Sequence, residues 1–340
     1  MKRAWLIAAA IVVVLVAAAL LIARLRYHGP VRVVEVAPGL LVAGQPEAGE
    51  WRELVQRFGV RAVVNLRGPR VSERWYAEEV AACRDLGVAR DDVRIKLDDW
   101  PPQHEVRRFV ALLEAGPRPL LLHCKDGYDR SGWGAAVALA LAGEPLERAL
   151  ELLAPTAGHV CRRDTCPLHR FFAEYSAWLA ATGAAHDAAT FRRWALEAYC
   201  PPPYDAAIET IAAPPRRVRP GQTVVLSARV TNRSRLPWLL SADPDRGIRL
   251  GARSIGPLTA WPADAVAVFR TPNGPARDLA RAGIEDDSVA PGADRVFELR
   301  FRAPAATGSY VVHVDMVDEK VHWFCDLGGP GVTFRLDVVP

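Results

Sequence analysis

Hydrophobic positions along this chain fall into three regimes. From Ala4 to Ala23 they are continuous, "AWLIAAAIVVVLVAAALLIA", with no charge. A helix of that length spans about 30 Å, the thickness of a bilayer core. From about residue 33 to residue 200 the pattern alternates between short apolar runs and helical stripes. Beyond about 220 the period becomes two: Val224, Leu226, Ala228 and Val230 alternate with mostly polar residues, as do Phe297, Leu299 and Phe301, and then Phe334, Leu336 and Val338.

The middle regime predicts its elements in order. "VVEVAPGLLVAGQP" reads as a hairpin with turns at Pro38-Gly39 and Gly44-Gln45-Pro46. Trp51, Leu54, Val55 and Phe58 form an i, i+3, i+4, i+7 stripe, a helix over 47–59 that Gly59 stops. Then come a buried strand within 61–68, a helix over 73–86 with Tyr76, Val80 and Cys83 on one face, and a strand over 92–97 that "DDWPP" breaks. A helix carrying Val106, Phe109, Val110 and Leu113 precedes "PRPLLLH", the next strand, and helices follow over 131–142, 145–153, 167–181 and 188–199. Strands alternating with helices predict βαβ units around a largely parallel sheet flanked by helices, whose ligands sit at the carboxyl ends of the strands. The last regime, with Pro-Gly turns at 220–221 and 291–292, predicts an all-β sandwich of immunoglobulin-like size. The expected organisation is an N-terminal membrane anchor (1–27), an α/β domain (28–200), a proline-rich linker (201–220) and the sandwich (221–340).

Composition changes little in this picture. A chain of 340 residues suits two domains. The net charge is +4, and no basic run is interleaved with aromatics, so nucleic acid is not an expected partner. The apolar N-terminal stretch exceeds the roughly 7–15 residues of a signal peptide's core, and a small-x-small cleavage site is not obvious before Arg24, which favours a retained single-pass anchor. Its orientation is nearly silent, because Lys2 and Arg3 face Arg24, Arg26 and Arg32.

Chemistry concentrates in "LLLHCKDGYDRSGWG" (120–134), where a buried strand ends at His123-Cys124 and a helix starts after Arg130-Ser131-Gly132. A thiol-based phosphatase needs its cysteine as a thiolate, and a loop of backbone N–H groups closing on a helix N-terminus favours that form while cradling phosphate oxygens. Its arginine must offer a planar pair of donors, which lysine cannot imitate. Five residues between Cys124 and Arg130 let the loop wrap one phosphate. Gly127 permits the close turn, and Ser131 is placed to hydrogen-bond the sulfur as it leaves. His123 is expected to orient the loop through backbone bonds.

"HCKDGYDRSG" resembles the phosphate-binding loop of the cysteine-dependent protein tyrosine/dual-specificity phosphatase superfamily. "GLLVAGQPEAGEWRELVQRFGVRAVVNLRG" resembles the opening of its bacterial, atypical dual-specificity-like branch, and the likeness covers about residues 36–182. The resemblance implies Cys124 as the nucleophile of a phosphocysteine intermediate and Arg130 as the group that binds the phosphoryl and stabilises the transition state, with no metal or cofactor. It also implies an aspartate general acid on a loop before the cysteine, for which Asp98 and Asp99 are candidates. A second route is open within the loop: "CKDGYDR" is similar to the Cys-x-Asp-Gly-x-Asp-Arg loop of myotubularin lipid phosphatases, which brings in Asp126 and Asp129. Lys125, Asp126, Gly127, Tyr128 and Asp129 are then the substrate-binding segment. Lys125 either adds positive charge for a polyanionic or lipid head group or points to solvent.

The implied partner is a phosphorylated protein or a phosphorylated lipid of phospholipid or inositol type. The alternative is a non-catalytic phospho-ligand, envelope or glycan-binding protein whose loop keeps phosphate affinity without turnover. In a third reading the sandwich, binding an unidentified partner or glycan, is the main functional part. In "GHVCRRDTCPLH" (158–169), Cys161 and Cys166 could be a disulfide or free thiols, or could hold zinc with His159 and His169. Trp323 and Phe324 are read as sandwich core or rim. The sandwich and a Cys161–Cys166 bridge favour a periplasmic, extracytoplasmic catalytic domain, although an exposed thiolate would suit a reducing compartment better.

Overall fold

The computed structural model describes residues 31–340, except 160, 162–165, 213, 271–274, 285–286 and 330. The apolar segment 4–23, expected as the anchor, lies outside the described residues; among these, no helix is long and apolar enough to cross a membrane. In chain order the helices are α1 (Glu50–Phe58), α2 (Arg74–Asp85), α3 (Gln103–Ala115), α4 (Asp129–Leu141), α5 (Leu146–Glu151), α6 (Pro167–Thr182), α7 (Ala188–Arg193) and α8 (Phe324–Leu327). By internal contacts the chain divides into two compact units. One takes the residues up to Arg94 with Ala115–Leu139 and Pro145–Val160; the other takes Ile95–Glu114, Ala140–Glu144 and Cys161–Pro340.

The first unit holds a five-stranded sheet: β1 (Val33–Ala37), β2 (Leu40–Ala43), β3 (Ala62–Asn65), β4 (Ala89–Asp92) and β5 (Leu120–His123), in the order β1-β2-β5-β3-β4. Only β1 runs antiparallel to its neighbour; the pairs β2–β5, β5–β3 and β3–β4 are parallel. β5 is therefore central, and its four residues are all buried. Trp51 and Leu54 of α1 and Cys83 of α2 pack with Leu41, Val63 and Leu121 into one apolar cluster. The stripe read from the sequence is thus the face that covers the sheet.

The strand expected over 92–97 is instead β4 at 89–92, four residues of alanine, arginine and aspartates. Val93 and Ile95 are buried as their alternation suggests, but past Asp92 only Arg94 pairs, in one isolated bridge to Arg67. What makes 89–92 a strand is the parallel register of Ala89–Asp92 on Ala62–Asn65, together with side-chain bonds that no hydrophobic pattern reports.

The second unit has a helical part and a strand-rich part. Phe171, Phe172 and Tyr175 of α6 meet Phe191 of α7 and Trp194 and Tyr199 beyond it, Phe172 stacked on Phe191 and most of the others edge to face. The strands are β6 (Ala206–Ala212), β7 (Arg217–Val218), β8 (Thr223–Asn232), β9 (Trp238–Leu240), β10 (Ile248–Leu258), β11 (Arg277–Ala282), β12 (Asp287–Val289), β13 (Asp294–Arg302), β14 (Gly308–Asp318), β15 (His322–Trp323) and β16 (Val332–Val338). β13-β8-β6 form one sheet and the others a second, and a single apolar cluster joins Leu226, Val230 and Leu299 to Leu250, Val314 and Leu336. Two sheets sharing one core is the sandwich arrangement expected for 221–340. Residues 201–220, expected as a linker, are instead part of it: β6 is hydrogen-bonded to β8 and β7 to β16. Their prolines stand before, between and after the two strands, outside the ladders.

Candidate active site

β5 delivers His123 to the end of the sheet and Cys124 directly after it, 3% exposed. The chain then turns through Lys125–Tyr128 and becomes helical at Asp129. Gly127 makes the turn: its φ is +81°, and its N–H donates to the Cys124 sulfur at 3.3 Å. A Cβ at this position would lie 2.5 Å from Gly44 N and 2.7 Å from the Ala43 carbonyl carbon, so the loop is pressed against the end of β2. Two further bonds tie the same surfaces together, Gln45 N–H to Lys125 O at 3.0 Å and the Ser131 hydroxyl to Ala43 O at 3.3 Å. Ser131, expected to serve the sulfur, thus braces the loop from a fully buried position.

Lys125 and Asp126 are exposed, whereas Tyr128, Asp129 and Arg130 are half-buried. The Tyr128 ring lies against Gly158, where a Cβ would come within 2.3 Å of it. The Arg130 Nε is buried and has no hydrogen-bond partner among the described residues. A buried guanidinium donor left unpaired costs roughly 1–3 kcal/mol unless a ligand takes it. Asp129, the first residue of α4, faces His159, whose Nδ1 is 3.0 Å from its Oδ1; the histidine side chain is 1% exposed. His159, weighed from the sequence as a zinc ligand, is therefore a partner of the loop. Cys161 and Cys166 form a disulfide and so have no thiolate to give a metal.

Beneath the loop lies a polar network that the hydrophobic pattern could not show. His123 is fully buried; Nδ1 faces Cys124 O at 3.3 Å and Nε2 faces Glu79 Oε1 at 3.3 Å. Glu79 has no exposed surface, yet Arg90 Nε donates to it at 2.8 Å and Gln45 Nε2 at 2.8 Å. Burial alone would raise this carboxyl, but His123, Gln45 and Arg90 outweigh it and hold its pKa at about 2. Arg90 in turn grips Asp92 with both terminal nitrogens, at 3.0 and 2.9 Å, and Tyr76 OH and Asn65 Nδ2 complete the ring around Asp92. The only sequence signal for Glu79 is its place on the Tyr76–Cys83 face of α2.

Arg67 joins this network to the thiol. It donates to Gln45 Oε1 at 3.0 Å and stacks on Trp75 at 3.7 Å. Burial lowers its pKa and Glu73 opposes this; the charges of Arg130 and Arg70 lower it further, and the Cys124 sulfur acts to raise it. Arg67 is thus a second cation in the field of the nucleophile, unassigned from the sequence.

Asp98 and Asp99 belong to the second unit. Asp98 is exposed. Asp99 accepts from Lys96 Nζ at 3.0 Å and from Trp100 N–H at 2.9 Å, and pairs with His322 at 3.0 Å. Burial would raise its pKa, but the bonds from His322 and Lys96 dominate and hold it below the usual carboxylate range.

A thiol at the mouth of a helix-capped loop that also carries an arginine with an unpaired donor among the described residues is the arrangement that phosphate-ester chemistry requires. Residues 45–151 match the family described as the tyrosine phosphatase family. This is a cysteine-dependent phosphatase domain. No protein of curated function matches the chain. Among solved structures, it is similar to a DUF442 protein from Shewanella putrefaciens CN-32, at 20% identity over 46% of this chain and 97% of that one, with a TM-score of 0.36. PTPMT1, solved in complex with PI(5)P, is 19% identical over 45% and 99% of the two chains, with a TM-score of 0.36. The core catalytic domain of the PP-IP phosphatase SIW14 from S. cerevisiae, in complex with citrate, is 16% identical over 45% and 94%, also with a TM-score of 0.36. The phosphatase domain's loop, Cys124 to Arg130, lies wholly inside the matched region.

Proposed function

We propose that this chain is a membrane-anchored phosphatase that cleaves phosphomonoesters of proteins or of phospholipid or inositol type through a phosphocysteine at Cys124. The observation that carries the reading is the Cys124 sulfur held by the Gly127 N–H while the Arg130 Nε lacks a partner among the described residues. In the first step the thiolate attacks phosphorus and the ester P–O bond breaks. Arg130 and the loop amides hold the three peripheral oxygens. The departing oxygen takes a proton from a carboxylic acid, and in the second step a water attacks the phosphocysteine, returns that proton to the carboxylate and releases phosphate.

For the acid we favour Asp129. Asp129 stands at the start of α4, 3.0 Å from His159 Nδ1, whereas Asp99 is held charged by His322 and Lys96. The anchor is the segment 4–23, and the Cys161–Cys166 disulfide supports an oxidising, extracytoplasmic side for the catalytic domain. The strand-rich region, read as an immunoglobulin-like domain, would hold a partner or glycan near the substrate.

The test is hydrolysis of a small aryl phosphate by the purified full chain, with and without chelator, beside Cys124→Ser. Activity indifferent to chelator and absent from the variant supports the reading. A folded wild type that binds orthovanadate but turns nothing over favours the binding alternative. In the same assay Asp129→Asn should lower kcat by about 10²–10⁴-fold, the usual weight of general acid catalysis, most severely for poor leaving groups. If Asp98→Asn or Asp99→Asn does this while Asp129→Asn does not, the acid is in the earlier loop.

A further inference from the structure

Far along the chain, the strand-rich region buries three side chains of metal-ligating type together. His313 and Asp315 come from β14 and Cys325 from α8; they are 0%, 1% and 0% exposed, and one donor atom from each lies within 4.8 Å of the other two. Among the described residues neither ring nitrogen of His313 has a hydrogen-bond partner, and Asp315 Oδ2 lies 3.5 Å from Nε2. A buried imidazole with both nitrogens unpaired is costly, roughly 1–3 kcal/mol for each donor or acceptor left unmade. Its orientation is nevertheless fixed, because the ring stacks on Phe269 with centroids 4.9 Å apart and planes at 24°.

The other donors are held as firmly. Asp315 accepts the Met316 N–H at 2.8 Å on Oδ1 and the Cys325 N–H at 2.7 Å on Oδ2, leaving lone pairs on both oxygens. The Cys325 sulfur takes a donor from Arg253 Nη2 at 3.0 Å, and that guanidinium lies over the Trp323 ring at 3.9 Å. An N–H aimed at sulfur from outside the cluster is the second layer that thiolate ligands of metals characteristically have. A Cβ on Gly331 would stand 2.1 Å from His313 Cε1, so the chain already covers the ring on that side.

We propose that His313, Asp315 and Cys325 bind one divalent transition ion of the zinc class. One nitrogen, one oxygen and one sulfur donor suit a tetrahedral ion of borderline softness rather than calcium or magnesium, which take oxygen cages. Binding replaces the thiol proton, so one proton leaves to solvent for each ion bound. The exchange adds one positive charge to a pocket that already holds Arg253. Asp326, with Oδ1 3.8 Å from the Cys325 sulfur, is the nearby counter-charge. The ion is a structural clamp between β14 and α8, and no step of phosphate-ester cleavage uses it.

The test is titration of the chelator-stripped full chain, with its Cys161–Cys166 disulfide intact, with Co²⁺, followed by absorption and melting temperature. One equivalent should give tetrahedral visible bands with a thiolate-to-cobalt charge-transfer band, and Zn²⁺ should displace it and raise the melting temperature. Cys325→Ser should abolish the charge-transfer band, His313→Gln should weaken binding by more than about 100-fold, beyond the roughly 10–100-fold of second-layer losses, and Cys124→Ser should leave both unchanged. Folding of the variants is checked by circular dichroism. The wild type decides alone if they do not fold. No charge-transfer band and no zinc-dependent melting shift in wild type overturns the proposal and assigns the His313 nitrogens to water. A band that persists in Cys325→Ser overturns it as well.

Discussion

Glu79 shows what a single residue can hide. It sits on the buried face of α2 with Cys83, and only the folded chain reveals that it carries a charge there, between His123 and Arg90. Its folded pKa, about 2, lies below its ordinary 4.5. A depressed carboxylate contributes stability that is complete above about pH 4.5 and disappears as pH falls through 2. A shift of this size corresponds to about 3 kcal/mol. Wild type should therefore lose more stability than Glu79→Gln between pH 5 and pH 2, by that order, in urea unfolding followed at each pH. Equal slopes for the two proteins would mean that Glu79 is not charged in the folded state. Cys124 and Arg130 were legible because their chemistry demands a fixed spacing. Glu79, Arg67 and His159 were not, because their partners are distant in sequence and only the fold brings them together.

At the scale of elements, sequence reading succeeded wherever burial left an apolar pattern. α1 announced itself by the stripe that faces the sheet, β3 and β5 by short runs buried at every position, and β8 and β13 because alternation marks a strand with one wet face. β4 failed for the opposite reason, since its side chains make ion pairs at a sheet edge and carry no apolar period. β6 and β7 were masked by the prolines around them. The loop before α4 is decided by one backbone contact, Gly127 against Ala43 and Gly44. Gly127→Ala should thus lose most activity and lower the melting temperature. Gly183→Ala is the control: its φ is also positive, at +68°, but nothing lies within 4 Å. It should cost only the left-handed strain of about 1–2 kcal/mol and leave turnover intact. Equal loss of activity in both variants would show that backbone strain, not the close approach, governs the loop.

For the molecule as a whole, composition and period separated a phosphatase-like α/β part from a strand-rich part. They could not show that residues 201–220 complete the sheets instead of tethering them. The anchor reading makes its own demand. The full chain should sediment with membranes and be released by detergent but not by high salt, while a chain starting at residue 28 should stay in the supernatant. Release by salt alone would mean that the apolar segment does not hold the chain in the bilayer.

The bracing of the loop has a further consequence. Gln45, Ser131 and His123 hold its backbone in place without any ligand. A cradle shaped before its substrate arrives fits the freed orthophosphate as well as the ester. The enzyme would then slow as its own product accumulates, its rate falling within a single progress curve and falling sooner when orthophosphate is added at the start. Rigidity that spares the loop from reordering at each turnover also leaves it no shape in which to reject what it has just made.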